Sequence, residues 1–201
     1  VDGQDDGYGR QHGGPPARAA AAEQTRARLT QTAAKLLADQ PNIAGFSVEA
    51  VAKAAGVTRL TVYNQFGSRR GLLEAVFDSV AAKAGLAARV EGAMQMADPR
   101  AALAELIAVF CAFWQEVRPM ARLHDAAAVD PELAEAVNAR NERRRNAIAV
   151  LMGRMGRGAD RDLIDLIFTL TSYRSFEALQ TGRSGDEACR LVTESCLKLL
   201  G

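Results

Sequence analysis

Between Phe46 and Phe66 the chain reads Phe-Ser-Val-Glu-Ala-Val-Ala-Lys-Ala-Ala-Gly-Val-Thr-Arg-Leu-Thr-Val-Tyr-Asn-Gln-Phe, and no other stretch limits its fold as tightly. Ser47 stands where it can N-cap a helix through Ala54, with Glu49 in the first turn favoured by the helix dipole. Val48, Val51 and Ala52 share the inward side of that helix. Gly56 ends it by taking a left-handed backbone conformation, and Thr58 caps a second helix. Leu60 falls in the first turn of this second helix, and Val62 and Phe66 lie four apart on its buried side. Arg59, Thr61, Tyr63 and Asn64 are left to the surface. The segment predicts two short helices joined by a tight turn, packed closely because Ala52 and Gly56 are small.

The rest of the chain is also helical in pattern. It is rich in Ala and Leu, and its 5% of aromatic residues leaves an aliphatic core. Residues 1–17, rich in Gly, Asp, Gln and Pro, read as a flexible tail. Leu29, Ala33, Leu36 and Leu37 lie on one face of a helix from about Ala20 to just before Pro41. Arg18, Arg26 and Arg28 lie toward its start, either solvated or within reach of phosphate. One long helix is expected from about Arg70 to Met94, and another from Asp98-Pro99 to near Pro119. A short helix near Met120 to Ala127 precedes a long one opened by Asp130-Pro131 and ending near Arg154. Two final helices, at about 160–181 and 185–200, are separated by Gly182 and Gly185. The expectation is an all-α chain of about nine helices, with a helix-turn-helix domain over 18–70 and a larger helical domain over 71–201.

Charge is distributed unevenly between these parts. Residues 18–70 carry eight Lys or Arg against three acids, whereas the region from Gly71 onward carries sixteen against eighteen. A basic head on a slightly acidic body fits a nucleic-acid reader joined to a regulatory module. The major groove admits one α-helix, and its base edges demand short, directional hydrogen bonding. Arg59 offers a fork to guanine, Thr61 a hydroxyl and a methyl, and Asn64 an amide for adenine or phosphate. Tyr63, Arg69 and Arg70 suit phosphate contacts that fix the approach. With the caps Ser47 and Thr58, these form the candidate DNA-binding set.

The run from Phe46 to Leu73 resembles the N-terminal DNA-binding domain of the TetR family of bacterial transcriptional regulators, and the likeness spans about residues 22–80. The resemblance implies a three-helix reader whose third helix enters the major groove. By position, it makes Gly56 the inter-helix glycine and Thr58 the small polar residue opening the recognition helix. It aligns Arg59 and Thr61 with base-contacting positions, Tyr63 with a phosphate-binding tyrosine, and Asn64 with a neighbouring contact position. Phe66 matches the closing aromatic, and Arg69 stands where the family commonly has a phosphate-facing lysine. Gln65 and Leu60 depart from the usual histidine or tyrosine and the usual small residue or proline. The resemblance further implies homodimers in which the last two long helices of each subunit form a four-helix bundle.

The larger domain carries two further sets of candidates. Leu163, Ile167, Leu170, Phe176, Leu191, Val192 and Leu199 exceed one packing face and are candidates for the dimer interface. Phe110, Phe113, Trp114, Val117, Met120, Met152 and Tyr173, with the polar His124 and Asn141, are candidates for lining a site for a small, largely apolar effector. Arg118 is a weaker polar candidate, and Glu142-Arg-Arg-Arg145 reads as a solvated helix surface.

Cys111, Cys189 and Cys196 are widely spaced and read as small buried hydrophobes, without the spacing of a disulfide framework or zinc cluster. No cofactor is expected. There is no apolar run long enough to span a membrane and no signal-peptide pattern, so a cytoplasmic protein without membrane attachment is expected. The functional expectation is a dimeric, ligand-released repressor on a near-palindromic operator. The alternatives are an activator of the same fold, a helical dimerisation or scaffold protein, and a small enzyme using Cys111 or His124.

Overall fold

The computed structural model describes residues 15–39, 46–117, 127 and 130–201. These residues form ten helices: α1 (Pro15–Asp39), α2 (Val48–Ala55), α3 (Arg59–Phe66), α4 (Arg69–Lys83), α5 (Leu86–Gln95), α6 (Pro99–Glu116), α7 (Pro131–Arg154), α8 (Arg161–Leu170), α9 (Tyr173–Leu179) and α10 (Gly185–Leu199). The fold is all-α. The expected helix at 120–127, apart from Ala127, and the break at Pro41 fall at residues outside those described, as does the tail up to residue 14. Helix α1 begins at Pro15, so the last three residues assigned to the tail are helical. A proline there is consistent with a first turn, whose N–H groups lack helical partners in any case.

The helix starts follow local chemistry. Ser47, Thr58, Ser68, Asp98, Asp130, Asp160, Ser172 and Ser184 each cap a helix by accepting a backbone N–H. Ser184 and Glu187 form a reciprocal capping box on α10. Two expected helices are divided. The first breaks at Gly85, whose φ of 62° is left-handed, so α4 and α5 are separate. The second breaks at Thr171 and Ser172, where Ser172 caps α9. Neither break coincides with the Gly or Pro clusters that marked the other boundaries.

Two apolar clusters organise the molecule. The first gathers Leu29, Ala33 and Leu37 of α1, Phe46, Val48, Val51 and Ala52 around α2, and Val62 of α3. It also takes in Leu72, Leu73 and Val76 of α4, and Leu133 and Val137 of α7. The second collects the inward faces of α5 to α10. Packing therefore carries the first cluster beyond residue 70 into α4, and recruits α7 from far along the chain. Val80 of α4 packs against the second cluster, so one helix belongs to both cores.

The residues of the expected dimer set divide between core and surface. Leu163, Ile167, Phe176 and Val192 are buried within their own chain, and Leu170 and Leu191 are half-buried. The break before α9 lets Phe176 and Tyr173 turn into the same core as α6, which absorbs the surplus apolar surface. Leu199 is 41% exposed, and Leu166, outside the expected set, is 51% exposed.

The joint between α3 and α4 is sterically tight. A Cβ on Gly71 would lie 2.1 Å from the carbonyl oxygen of Phe66, a backbone atom without rotamer freedom. We expect Gly71→Ala to destabilise the fold by about 1–3 kcal/mol, as overpacking does. The melting midpoint should drop about 2–4 °C for each kcal/mol, and a midpoint equal to wild type would show that the joint yields freely.

Candidate nucleic-acid interface and interior cavity

Helix α3 is short, and its neighbours hold it. Thr58 accepts a hydrogen bond from the Thr61 amide at 3.2 Å, and the two threonine hydroxyls lie 3.0 Å apart. Val62 is 1% exposed and pins the helix to the first core. Gly67 ends it with φ 74°, its N–H bonding to the Tyr63 carbonyl at 2.8 Å. Arg26 of α1 places its guanidinium 4.4 Å from the centre of the Phe66 ring and donates to the Gln65 carbonyl. Arg26 thus fastens the end of α3, a role its position near the start of a basic helix did not reveal.

The free face of α3 carries Arg59, Leu60, Tyr63 and Asn64, all exposed, with the cap Thr58 beside them. Thr61 is half-buried against its own cap. Leu60 is 66% exposed, a large apolar side chain in water on an otherwise polar surface. Arg59 approaches Glu49 at 3.4 Å, with both side chains more than half exposed. A hydrogen bond with Tyr63 and then the Glu49 charge hold the Arg59 guanidinium above its ordinary pKa. Such an open pair is readily exchanged for another anion, because solvent and salt screen it. Ser47 is exposed, and its hydroxyl accepts from the Ala50 amide at 3.0 Å as the α2 cap.

Arg69 and Arg70 are engaged within the chain. Arg69 makes a two-pronged pair with Asp130, at 2.6 and 3.1 Å, and donates to Glu132 at 2.9 Å. Arg70 pairs with Glu74 at 2.9 Å and with Glu135. Their charges join α4 to the start of α7, so they do not stand as free phosphate ligands. The acidic partners lie more than 60 residues away, except for Glu74 four residues on. That distance hid the pairing from sequence. Farther along the same seam, Arg140 donates to Asp78 and to the Glu74 carbonyl, both at 2.6 Å, with Phe77 beneath its guanidinium.

Beside this seam lies a cavity of about 390 Å³, bounded by α4, α5, α6 and α7. Of the expected effector set, Phe110, Phe113, Trp114, Val117 and Asn141 line it. Met152 is fully buried and packs in the second core instead, and Tyr173 supports the wall from behind, its ring edge-on to Trp114 at 5.8 Å. Met120 and His124, like Arg118, lie outside the described residues. The sequence reading missed Phe77 and Val80 of α4, Leu86 and Val90 of α5, and Arg144 of α7. Arg144 belongs to the run read as a solvated surface, yet it is 3% exposed. A single-face pattern could have suggested it, since Arg140, Arg144 and Ala147 fall at helical spacing.

Cys111 is buried, and a hydrogen bond with Cys189 followed by burial raises its thiol pKa, which disfavours the thiolate a nucleophile needs. Among the described residues no group of three or more His, Cys, Asp or Glu could hold a metal ion, and no helix is long and apolar enough to cross a membrane.

Residues 29–76 match the sequence model of a family described as bacterial regulatory proteins, tetR family. No curated protein matches the chain by sequence. Among solved structures, a TetR-family transcriptional regulator from Rhodococcus sp. aligns at a TM-score of 0.68 with 18% identity, covering 89% of this chain and 100% of its own. NalD, the secondary repressor of the MexAB-OprM multidrug efflux pump in Pseudomonas aeruginosa, aligns at 0.59 with 19% identity, covering 89% and 96%. A transcriptional regulator from Saccharomonospora viridis in complex with choline aligns at 0.60 with 16% identity, covering 86% and 95%. At these identities the structural likeness establishes the shared fold.

The Arg69–Asp130 pair makes a pH-dependent joint. The hydrogen bond from Arg69 holds the Asp130 carboxyl below its ordinary pKa. Its contribution is therefore complete above the unfolded carboxylate pKa, about 4, and is lost as pH falls through the lower folded value. We expect stability measured by urea unfolding to decline across that acidic window. Asp130→Asn should be less stable at neutral pH and decline less steeply; an unchanged acid slope would remove Asp130 from this role.

Proposed function

We propose that this chain, whose residues 29–76 match the tetR family of bacterial regulatory proteins, is a DNA-binding repressor of that family that binds a near-palindromic operator as a homodimer and leaves it when a small ligand fills the cavity. The observation that carries this reading is the free face of α3. Its polar side chains stand in water while Val62 is anchored beneath them. Arg59 and Asn64 have the donor geometry for base edges, and Tyr63 the reach for phosphate. Leu60, exposed on the same face, suits apolar contact with a thymine methyl.

A dimer would present two such helices to successive major grooves, roughly 34–36 Å apart. Leu166 of α8 and Leu199 of α10, both exposed, are the natural centre of its interface, since burying them removes apolar surface from water. In this reading the ligand acts through α4. That helix lines the cavity with Phe77 and Val80, and its first turn abuts the end of α3. Release requires the ligand to bind more tightly to the DNA-free arrangement than to the bound one.

Gel shift with selected oligonucleotides tests the reading. A two-fold-symmetric site should emerge; failure to prefer any sequence at physiological salt would overturn it. Arg59→Ala should weaken operator binding by about 1–3 kcal/mol if Arg59 grips a base pair, while changing binding to random DNA far less. Equal losses on both would assign Arg59 to phosphate.

A further inference from the structure

We propose that the cavity takes an anionic amphiphile, a small ligand with an apolar body among Phe110, Phe113 and Trp114 and a carboxylate head seated beside Arg144. This rests on the reading of the cavity as the effector site and specifies the chemistry of its occupant.

Arg144 carries the inference. It lines the cavity, is 3% exposed, and forms no ion pair with a carboxylate among the described residues. Its Nη1 donates to the Phe168 carbonyl at 2.7 Å and the Thr171 hydroxyl at 2.6 Å, both uncharged acceptors. Its Nε is buried without a hydrogen-bond partner among the described residues. The guanidinium lies 4.2 Å from the Phe168 ring centre and 5.9 Å from that of Phe110. Arginines are almost never fully buried unless paired, and the other seam arginines obey that rule. Arg69 has Asp130 and Glu132, and Arg140 has Asp78. For Arg144, burial and then the like charge of Arg145 lower the pKa to about 10. It stays protonated at neutral pH.

The surroundings keep the same sign. Arg140, Arg143 and Arg144 line the cavity against one acid, Asp78, which Arg140 already engages. A cationic guest would meet aromatic rings but also this excess of positive charge. A carboxylate would match the guanidinium through charge-assisted hydrogen bonds and supply the acceptor that the protein lacks there. Part of the Arg144 interaction is structural, because it caps the end of α8 and stacks on Phe168. Those contacts use Nη1 and one ring face, and leave Nε unanswered.

The chain's sole tryptophan, Trp114, lies in the cavity wall and reports occupancy by its fluorescence. Octanoate, 1-octanol and octylammonium, each below its micelle concentration, should be titrated into the full chain. Octanoate should bind most tightly, by at least about tenfold over octanol, with octylammonium weakest. Arg144→Met should abolish the preference for octanoate while octanol still binds. Arg144→Lys should retain a reduced preference, and decides the matter with the ligand series if the Met variant fails to fold. Ala147→Phe, which puts a ring into the cavity, should block all three probes. Octanol matching octanoate in the wild type, or octylammonium binding best, would overturn the anionic assignment and leave the effector cavity standing. No saturable binding by any probe would overturn both. An octanoate preference that survived Ala147→Phe would place the binding elsewhere and defeat the proposal.

Discussion

The arginine–carboxylate seam between α4 and α7 is the constraint from which the remaining arrangement follows. Arg69 and Arg70 of α4 reach acids at the start of α7, Arg140 of α7 reaches Asp78 and the Glu74 carbonyl of α4, and Leu133 and Val137 add apolar burial on the α7 side. The Arg69–Asp130 pair is the best sheltered, with 21% and 15% of the two side chains exposed. Two-pronged guanidinium–carboxylate contacts fix direction as well as distance. The seam therefore sets the orientation of α4, and with it that of the small N-terminal core.

Helix α4 then serves two neighbourhoods at once. Its first half supplies Leu72, Leu73 and Val76 to the core under α3, and its second half supplies Phe77, Val80 and Ala81 to the cavity wall. Whatever enters the cavity touches the same rigid rod that supports the exposed face of α3. In the proposed ligand response, α4 itself would be the link between the cavity and α3. Gly85 ends the rod, and α5 after it adds Leu86 and Val90 to the wall of the same cavity.

Much of this was legible in the residues alone. The capping residues Ser47 and Thr58, the left-handed Gly56 and the inward Val62 all stand as the local pattern required. Such features depend on neighbours within one helical turn, where spacing is informative. Long-range pairings were not legible. Arg69 and Arg70 look like any basic pair beside a reading helix until α7 brings Asp130, Glu132 and Glu135 to them. The division of the body helices was equally hidden, since Gly85 stands alone and Thr171-Ser172 carries neither glycine nor proline. Without that division, the apolar excess on residues 163–176 looked like a surface awaiting a partner. The structure spends most of it inside.

The close contact at Gly71 has a mechanical meaning. Only Gly67 and Ser68 separate α3 from α4, and the Phe66 carbonyl occupies the space a methyl group would need. The two helices meet almost as a welded elbow, with Arg26 bracing the outer arm from α1. Such an elbow would couple the orientation of α3 to that of α4. Under the proposed ligand response, a tilt of α4 near Phe77 would carry Tyr63 and Asn64 with it, in the manner of a pointer fixed to its base.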